Sequence, residues 1–327
     1  MTQYYVGVDL GGTNIKIGCF DESIALMGKT AVPTGAEMGP EAVCGSIVEQ
    51  ARKLMGDCGV SLKDVVGVGI GTPGPANYSQ GIVIKSTNMP KFVNTPLRDM
   101  VGRDGLGKPA ILENDGNTAC WGEFAVGAGK GTRDMIFFTL GTGIGGGVVC
   151  NGDLVRGAGG NAAELGHVII HPGGRKCNCG QRGCVEAYGS ANSTAARAVE
   201  AIRAGGKSTM GPVLDKKGKL TSKDVYEHSA AGDELAREIT EGTAESLALM
   251  CVNMLHTTEP ARIVFSGGMI AAGDSLLSRI RHHFQRLVWT IKEEKTIEIC
   301  FATLGEDTGI IGAGALAAHA GKQGILA

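Results

Sequence analysis

Apolar and polar residues alternate from Tyr5 to Leu10, stop at Gly11 and Gly12, and resume from Ile15 to Phe20. This pattern predicts two strands joined as a hairpin with Asp9 beside its tip. The period then lengthens, and Val43, Ile47, Ala51, Leu54 and Met55 fall on one face of a helix over about 41–55. The apolar run Val65 to Ile70 predicts a buried strand, and strand, helix, strand in succession points to an α/β layer. The hairpin pattern recurs: Met135 to Leu140 reads as a strand, Gly141 to Gly147 as a glycine turn, and Val148 to Cys150 as the returning strand. Between the hairpins, the apolar stretch Pro109 to Leu112 leads into Glu113-Asn114-Asp115-Gly116-Asn117 and a helix expected from near Thr118. Further on, a Leu- and Met-rich helix over about 233–256 enters the strand Arg262 to Ser266, which ends at Gly267 and Gly268. Residues 205–224 are polar and basic and read as a solvated excursion between helices. Asp307 reads as the cap of a closing helix of small residues.

The chain has 327 residues, 43% hydrophobic and 20% charged, with a formal charge of -2. There is room for two globular domains and no basic excess for a nucleic-acid partner. The apolar segment Tyr4 to Val8 lacks the basic region and long apolar core of a signal peptide, and no stretch reaches membrane-spanning length. The expectation is a cytoplasmic protein with no membrane partner. Its 53 glycines come in short clusters along the chain, as suits tight turns built close to a ligand.

The second turn contains Gly141-x-Gly143-x-x-Gly146, with Glu164 near the place of a ribose-binding acid, but its context is wrong for a dinucleotide fingerprint. Such a loop opens a helix, whereas Val148-Val149-Cys150-Asn151-Gly152 is a β-branched strand ending in a turn. Two glycine-tipped hairpins can still cradle phosphate, since glycine lets backbone N–H groups approach closely and Thr13 and Thr142 add hydroxyls. Each turn has a purely structural reading as well. Asp9 could reach Mg2+ through water. Asp115, at the carboxyl end of a strand, could take a proton from an attacking hydroxyl, with helix capping as the alternative role for this Asn- and Asp-rich stretch. Gly267 and Gly268 form another glycine turn where a nucleoside could lie.

His167 followed by Cys177, Cys179 and Cys184 has the donor types and spacing of a Cys3His zinc site. A disulfide pair and free thiols are the alternatives. A four-ligand site leaves no open position for water, so the metal would shape a loop and do no Lewis-acid chemistry.

Taken in order, Asp9-Leu-Gly-Gly-Thr13, Gly71-Thr-Pro-Gly-Pro75, Asn88-Met-Pro-Lys-Phe92, Glu113-Asn-Asp115, Gly141 to Gly147, Glu164-Leu-Gly-His167, the cysteine loop ending in Glu186, and Gly267-Gly268 carry a resemblance. Over nearly its whole length the chain resembles the ROK (repressor, open reading frame, kinase) sugar kinases of the actin-like and hexokinase-like ATPase superfamily. The resemblance implies an α/β, ribonuclease H-like fold of two domains with a central cleft. It implies a small domain over 1–117 plus 305–327 and a large one, with the zinc loop, over 118–304. It implies ATP-dependent phosphorylation of a hexose 6-hydroxyl with Asp115 as base. Asn88, Asn114, Asp115, Glu164, His167 and Glu186 would bind the sugar. Asp9, Gly11, Gly12, Thr13, Gly141, Thr142, Gly143, Gly267 and Gly268 would hold ATP with Mg2+, and His167, Cys177, Cys179 and Cys184 would hold structural Zn2+. Glucose, at the entry to glycolysis, is the expected sugar, with N-acetylmannosamine, N-acetylglucosamine, fructose and allose as alternatives and a homodimer or higher homo-oligomer as the expected assembly. Asn14, Ala163 and Phe92 depart from the frequent Lys, Gly and Trp of relatives. The family also includes sugar-responsive repressors, which carry a DNA-reading domain before the first glycine motif; with that motif at Asp9, the expectation is an enzyme and not a regulator.

Overall fold

The computed structural model describes residues 3–86, 88–289 and 297–326. The chain divides into two compact units, one comprising residues up to Gly131, Leu154–Ala163 and the chain from Thr303, the other Thr132–Asp153 and Glu164–Ala302.

In the first unit, β1 (Tyr4–Leu10) and β2 (Asn14–Phe20) form the expected antiparallel hairpin, with Asp9 opposite Lys16. β3 (Leu26–Pro33) extends it on one side, and β4 (Val65–Thr72) pairs parallel to β1 on the other. A small three-stranded sheet of β5 (Ala76–Asn77), β6 (Ile82–Lys85) and β7 (Val93–Thr95) follows. β8 (Ala110–Asn114) then joins β4 in parallel and completes the order β3-β2-β1-β4-β8. Helix α1 (Pro40–Asp57) buries Val43, Cys44, Ile47, Ala51, Leu54 and Met55 in one core cluster with the sheet, joined by Leu97 and Val101 of α2 (Leu97–Val101).

Helix α3 (Asp115–Ala125) begins at Asp115, three residues earlier than the sequence suggests. Asn114 is in extended conformation and caps it, accepting from the Asn117 N–H at 3.1 Å. The last helix, α10 (Thr308–Gln323), packs on β1, β4 and α3. Its small residues are required: a Cβ at Gly69 would run into the Ala313 carbonyl, and one at Gly312 into the Thr118 carbonyl. Asp307 does not cap this helix, because its carboxylate is taken by Lys29 Nζ at 2.6 Å.

The second unit repeats the plan. β9 (Met135–Leu140) and β10 (Ile144–Cys150) form the second hairpin, and β11 (Asp153–Leu154) flanks it. Helices α4 (Glu186–Gly189), α5 (Ala191–Arg203), α6 (Gly211–Lys217), α7 (Ser222–Ala230) and α8 (Glu234–Thr258) follow. β12 (Arg262–Ser266), α9 (Asp274–Leu287) and β13 (Glu298–Phe301) complete the order β11-β10-β9-β12-β13, with β12 parallel to both of its neighbours. The stretch 205–224 is more ordered than a solvated excursion, since Met210 and Leu214 bury against α5, α7 and α8 residues. In each unit a glycine-tipped hairpin therefore sits at the carboxyl end of the strand that also pairs in parallel, the usual ligand edge of such sheets.

Candidate active site

At that edge in the first unit, the register places Asp9 of β1 opposite Gly71 of β4, and Thr72 opposite Asn114 of β8. Adjacent parallel strands thus bring Asp9 and the Asn114-Asp115 corner to one side of the sheet. Asp115, the first residue of α3, accepts from the Gly116 N–H at 2.9 Å and from Asn114 Nδ2 at 3.0 Å. Its carboxylate is accessible yet recessed among neighbouring groups. That burial raises its pKa, and the two N–H donors only partly oppose it. Burial likewise raises the pKa of Asp9, the charge on Asp115 adds to the rise, and Lys16 opposes it. Gly309, in the first turn of α10, leaves room for Asp9, since a Cβ there would lie 2.5 Å from its Oδ2.

The first glycine turn is pinned from below: Thr34 Oγ1 donates to the Gly11 carbonyl at 2.7 Å, and the Thr34 N–H donates to the Thr13 carbonyl at 2.9 Å. The Gly11 N–H closes the turn onto Asn14. The N–H groups of Gly12 and Thr13 make no hydrogen bond among the described residues. Gly12 also lets Asn88 come close, because a Cβ at position 12 would lie 2.7 Å from the Asn88 Cβ.

The second unit carries the matching arrangement. The Gly141 N–H donates to the Gly143 carbonyl at 3.0 Å, while the N–H groups of Thr142 and Gly143 make no hydrogen bond among the described residues. Glu186 lies directly beneath this turn: its Oε2 accepts from the Ile144 N–H at 2.9 Å. A Cβ on Gly143 would collide with that same oxygen. Gly267, at φ 88°, presses against the backbone of Leu140, so the Gly267-Gly268 turn adjoins the glycine hairpin. Beside Gly268 opens a largely apolar cavity of about 490 Å³, bordered by Lys223, Tyr226, Glu227, Met269 and Ser275. The Tyr226 hydroxyl is buried with no hydrogen-bond partner among the described residues. Nothing local in the sequence marks these residues, which come from α7, the turn after Gly267 and the start of α9.

A ring nitrogen of His167 and the sulfurs of Cys177, Cys179 and Cys184 all lie within 4.8 Å of one another. The Cys179–Cys184 Sγ separation is 3.7 Å, and Cys177 Sγ lies 3.8 Å from His167 Nδ1. A disulfide would bring two sulfurs to about 2.0 Å, so these are thiols. Metal–sulfur bonds of about 2.3 Å in a tetrahedron give edges of about 3.8 Å, so the donors fit a tetrahedral ion that takes thiolate and imidazole. Gly180 and Gly183, at φ 96° and 89°, supply the left-handed backbone the loop needs. The remaining oxygen of Glu186, Oε1, lies 3.4 Å from Cys177 Sγ, so one carboxylate links this cluster to the second glycine turn. Glu164 is exposed, and its carboxylate has no partner among the described residues. Ala163 before it adopts φ 65°, a left-handed conformation that glycine takes more readily than alanine.

The sequence matches the ROK family over residues 5–320. The chain belongs to the ROK family. It is 36% identical to a glucokinase of Halalkalibacterium halodurans over 95% of this chain and 94% of that one. Among solved structures it resembles the ROK hexokinase of Thermus thermophilus, with a TM-score of 0.84 and 29% identity over 99% of this chain and 100% of the other. It also resembles the ROK family glucokinase of Streptomyces griseus in complex with glucose and AMPPNP, with a TM-score of 0.75 and 30% identity over 97% and 99% of the two chains. The fold is accordingly the two-domain, actin-like α/β fold of ROK sugar kinases. Among the described residues no helix is long and apolar enough to cross a membrane.

Proposed function

We propose that this ROK family protein is an ATP-dependent hexose kinase that transfers the γ-phosphoryl group to the 6-hydroxyl of glucose. The observation that carries the reading is Asp115, a carboxylate held at a fixed orientation by the Gly116 N–H and Asn114 Nδ2, with a pKa raised by burial. A carboxylate of raised pKa holds a proton better than an ordinary aspartate, as abstraction from a sugar hydroxyl requires. The relatives and the nucleotide-bound Streptomyces griseus structure support a sugar and ATP as the substrates.

Positioning and charge stabilisation supply most of the rate in phosphoryl transfer. The uncommitted N–H groups of Gly12, Thr13, Thr142 and Gly143 would serve phosphate oxygens, and the cavity beside Gly268 would take the nucleoside. Asp9 would hold Mg2+ through water, and the bound ion would supply positive charge against the phosphates. Asn88 and Asn114 in the first unit, and Glu164, His167 and Glu186 in the second, are assigned to sugar hydroxyls. The thiolate and imidazole cluster would hold Zn2+, whose part is to fix the loop that carries Glu186.

ADP release measured with Mg-ATP against glucose, mannose, fructose, allose, N-acetylglucosamine and N-acetylmannosamine tests the reading. Preference for glucose is the expected result. Preference for an N-acyl sugar would overturn the sugar assignment and leave the reaction, and no turnover from metal-loaded protein would overturn both.

A further inference from the structure

Behind the Asn114-Asp115 corner, within the first unit, lies a second cavity of about 200 Å³. It is bordered by Tyr78, Ser79, Arg98, Arg156 and the strand β8 at Ala110 and Leu112. Among the described residues its only charged lining groups are the two guanidinium ions. Arg98 spends Nε on Asp99 at 3.0 Å and one Nη on the Ser79 carbonyl at 3.1 Å. Arg156 spends only Nε, on Glu113 Oε2 at 2.6 Å. Neither acid borders the cavity, so each ion pair turns its positive end toward it. One Nη of Arg98 and both of Arg156 remain without protein acceptors among the described residues. β8 ends its sheet, so among the described residues its outer backbone edge carries no strand partner beside them. A small cavity whose wall is apolar at Ala110, Ile111, Leu112 and Ile325 and whose charged groups are two guanidinium ions suits a tetrahedral oxyanion, which guanidinium groups bind in two-point fashion.

The wall of this cavity is tied to the proposed base. Glu113 is 1% exposed, and its Oε1 accepts from the Asn114 N–H and from Asn117 Nδ2, both at 3.0 Å. Asn114 Nδ2 in turn donates to Asp115 Oδ1. Arg156 is the cation that holds the far side of this buried carboxylate. An anion drawing on Arg156 would loosen its hold on Glu113 and disturb the orientation of Asn114 and Asp115. We propose that the Arg98–Arg156 cavity binds a phosphate-class oxyanion, free phosphate or the phosphomonoester of a small molecule, and that its occupation slows turnover through Arg156 and Glu113. The first half stands on the cavity alone; the second rests on the reading of Asp115 as the base.

The test titrates inorganic phosphate, and separately glucose 6-phosphate, into the full chain saturated with glucose and a non-hydrolysable ATP analogue, read by calorimetry at constant ionic strength. Saturable binding of one anion per chain is expected, weakened at least about 10-fold in Arg98→Gln, which keeps the stem and a donor for the Ser79 carbonyl. The arm that binds more tightly identifies the free or esterified source. In the kinase assay, kcat should fall about 5-fold or more at saturating anion, at the lower end of ordinary coupling between sites, and Arg98→Gln should remove that fall. No binding, binding that the glycine-turn ligands displace, or binding indifferent to Arg98→Gln overturns the site. Arg98-dependent binding with unchanged kcat overturns the coupling and leaves the site. A chain that binds phosphate as expected but phosphorylates no sugar overturns the functional reading instead.

Discussion

Gly141 and Gly143 lie two residues apart in one turn, and alanine at each should have opposite consequences. A Cβ at Gly143 would collide with Glu186 Oε2 and lie 3.1 Å from its Cδ. To restore ordinary carbon–oxygen contact the carboxylate must retreat by about 1 Å. The retreat takes it away from the Ile144 N–H, which it now meets at 2.9 Å. A donor left unsatisfied costs about 1–3 kcal/mol, so Gly143→Ala should lower the free energy of unfolding in urea by that much. Displacement of about 1 Å in a positioned group costs on the order of 100-fold in rate, so kcat/KM for the sugar should fall by a similar factor. A Cβ at Gly141 meets nothing within 4 Å, and its backbone is not left-handed, so Gly141→Ala should leave stability within about 0.5 kcal/mol. Its methyl would point into open space at the turn proposed to hold ATP phosphate, so KM for ATP should rise while KM for the sugar holds. Urea melts and steady-state kinetics on both variants give all the numbers. Equal stability for the two variants would refute the contact with Glu186, and an unchanged KM for ATP in Gly141→Ala would refute the phosphate assignment.

Other outcomes follow from the same geometry. Asp115→Asn should lower kcat by about 10²–10⁴-fold while glucose binding by calorimetry persists; the acid limb of the wild-type pH profile should lie above the usual aspartate range, because burial raises this carboxyl. A raised folded-state pKa means that stability falls as pH rises from the unfolded value through the folded one, so Asp115→Asn should be more stable than wild type at pH 7 in chemical denaturation. Elemental analysis should find one zinc per chain, and Cys179→Ser should lose it, with a raised KM for the sugar, since structural zinc sites contribute their binding energy to folding. Ala163→Gly should gain about 0.5–1 kcal/mol in urea unfolding by relieving the left-handed alanine at φ 65°, less the added freedom of the unfolded chain.

What the sequence disclosed was whatever rests on local period or backbone permission. The two hairpins and the buried face of α1 follow from alternation and from the 3.6-residue spacing of Val43, Ile47, Ala51 and Leu54. The gathering of His167 with Cys177, Cys179 and Cys184 was legible because the three cysteines lie within eight residues and the glycines between them tolerate φ above zero. The start of α3 was misplaced because Asp, Gly and Asn are poor helix formers; the Asn114 cap and Glu113, which takes Asn117 Nδ2, outweigh propensity there. Asp307 fits the composition of a cap but is committed to Lys29, 278 positions away. Arg156 is 43 residues from Glu113, and neither residue carries a local mark of the other. The cavity beside Gly268 is equally invisible, since Tyr226 and Ser275 meet only once the second unit has folded.

The repeated hairpin also bears on how specificity could be built. In the first unit the turn expected to hold phosphate touches Asn88 through Gly12; in the second it touches Glu186 through Gly143. Both side chains are ones proposed for the sugar. In each case glycine is the residue that permits the contact, so the same lack of a Cβ opens backbone N–H groups to phosphate and admits a polar side chain beneath them. Under the proposed assignments, phosphate and sugar contacts are referenced to each other inside each unit, through a few bonded atoms. A sugar that displaces Asn88 or Glu186 by a fraction of an ångström would therefore also displace a phosphate turn, and discrimination would be read in kcat as well as in KM. Comparing kcat across the sugar panel for wild type and for Gly12→Ala, whose Cβ would press on Asn88, tests this: the spread of kcat among sugars should narrow if the turn transmits the fit, and remain unchanged if the sugar contacts act alone.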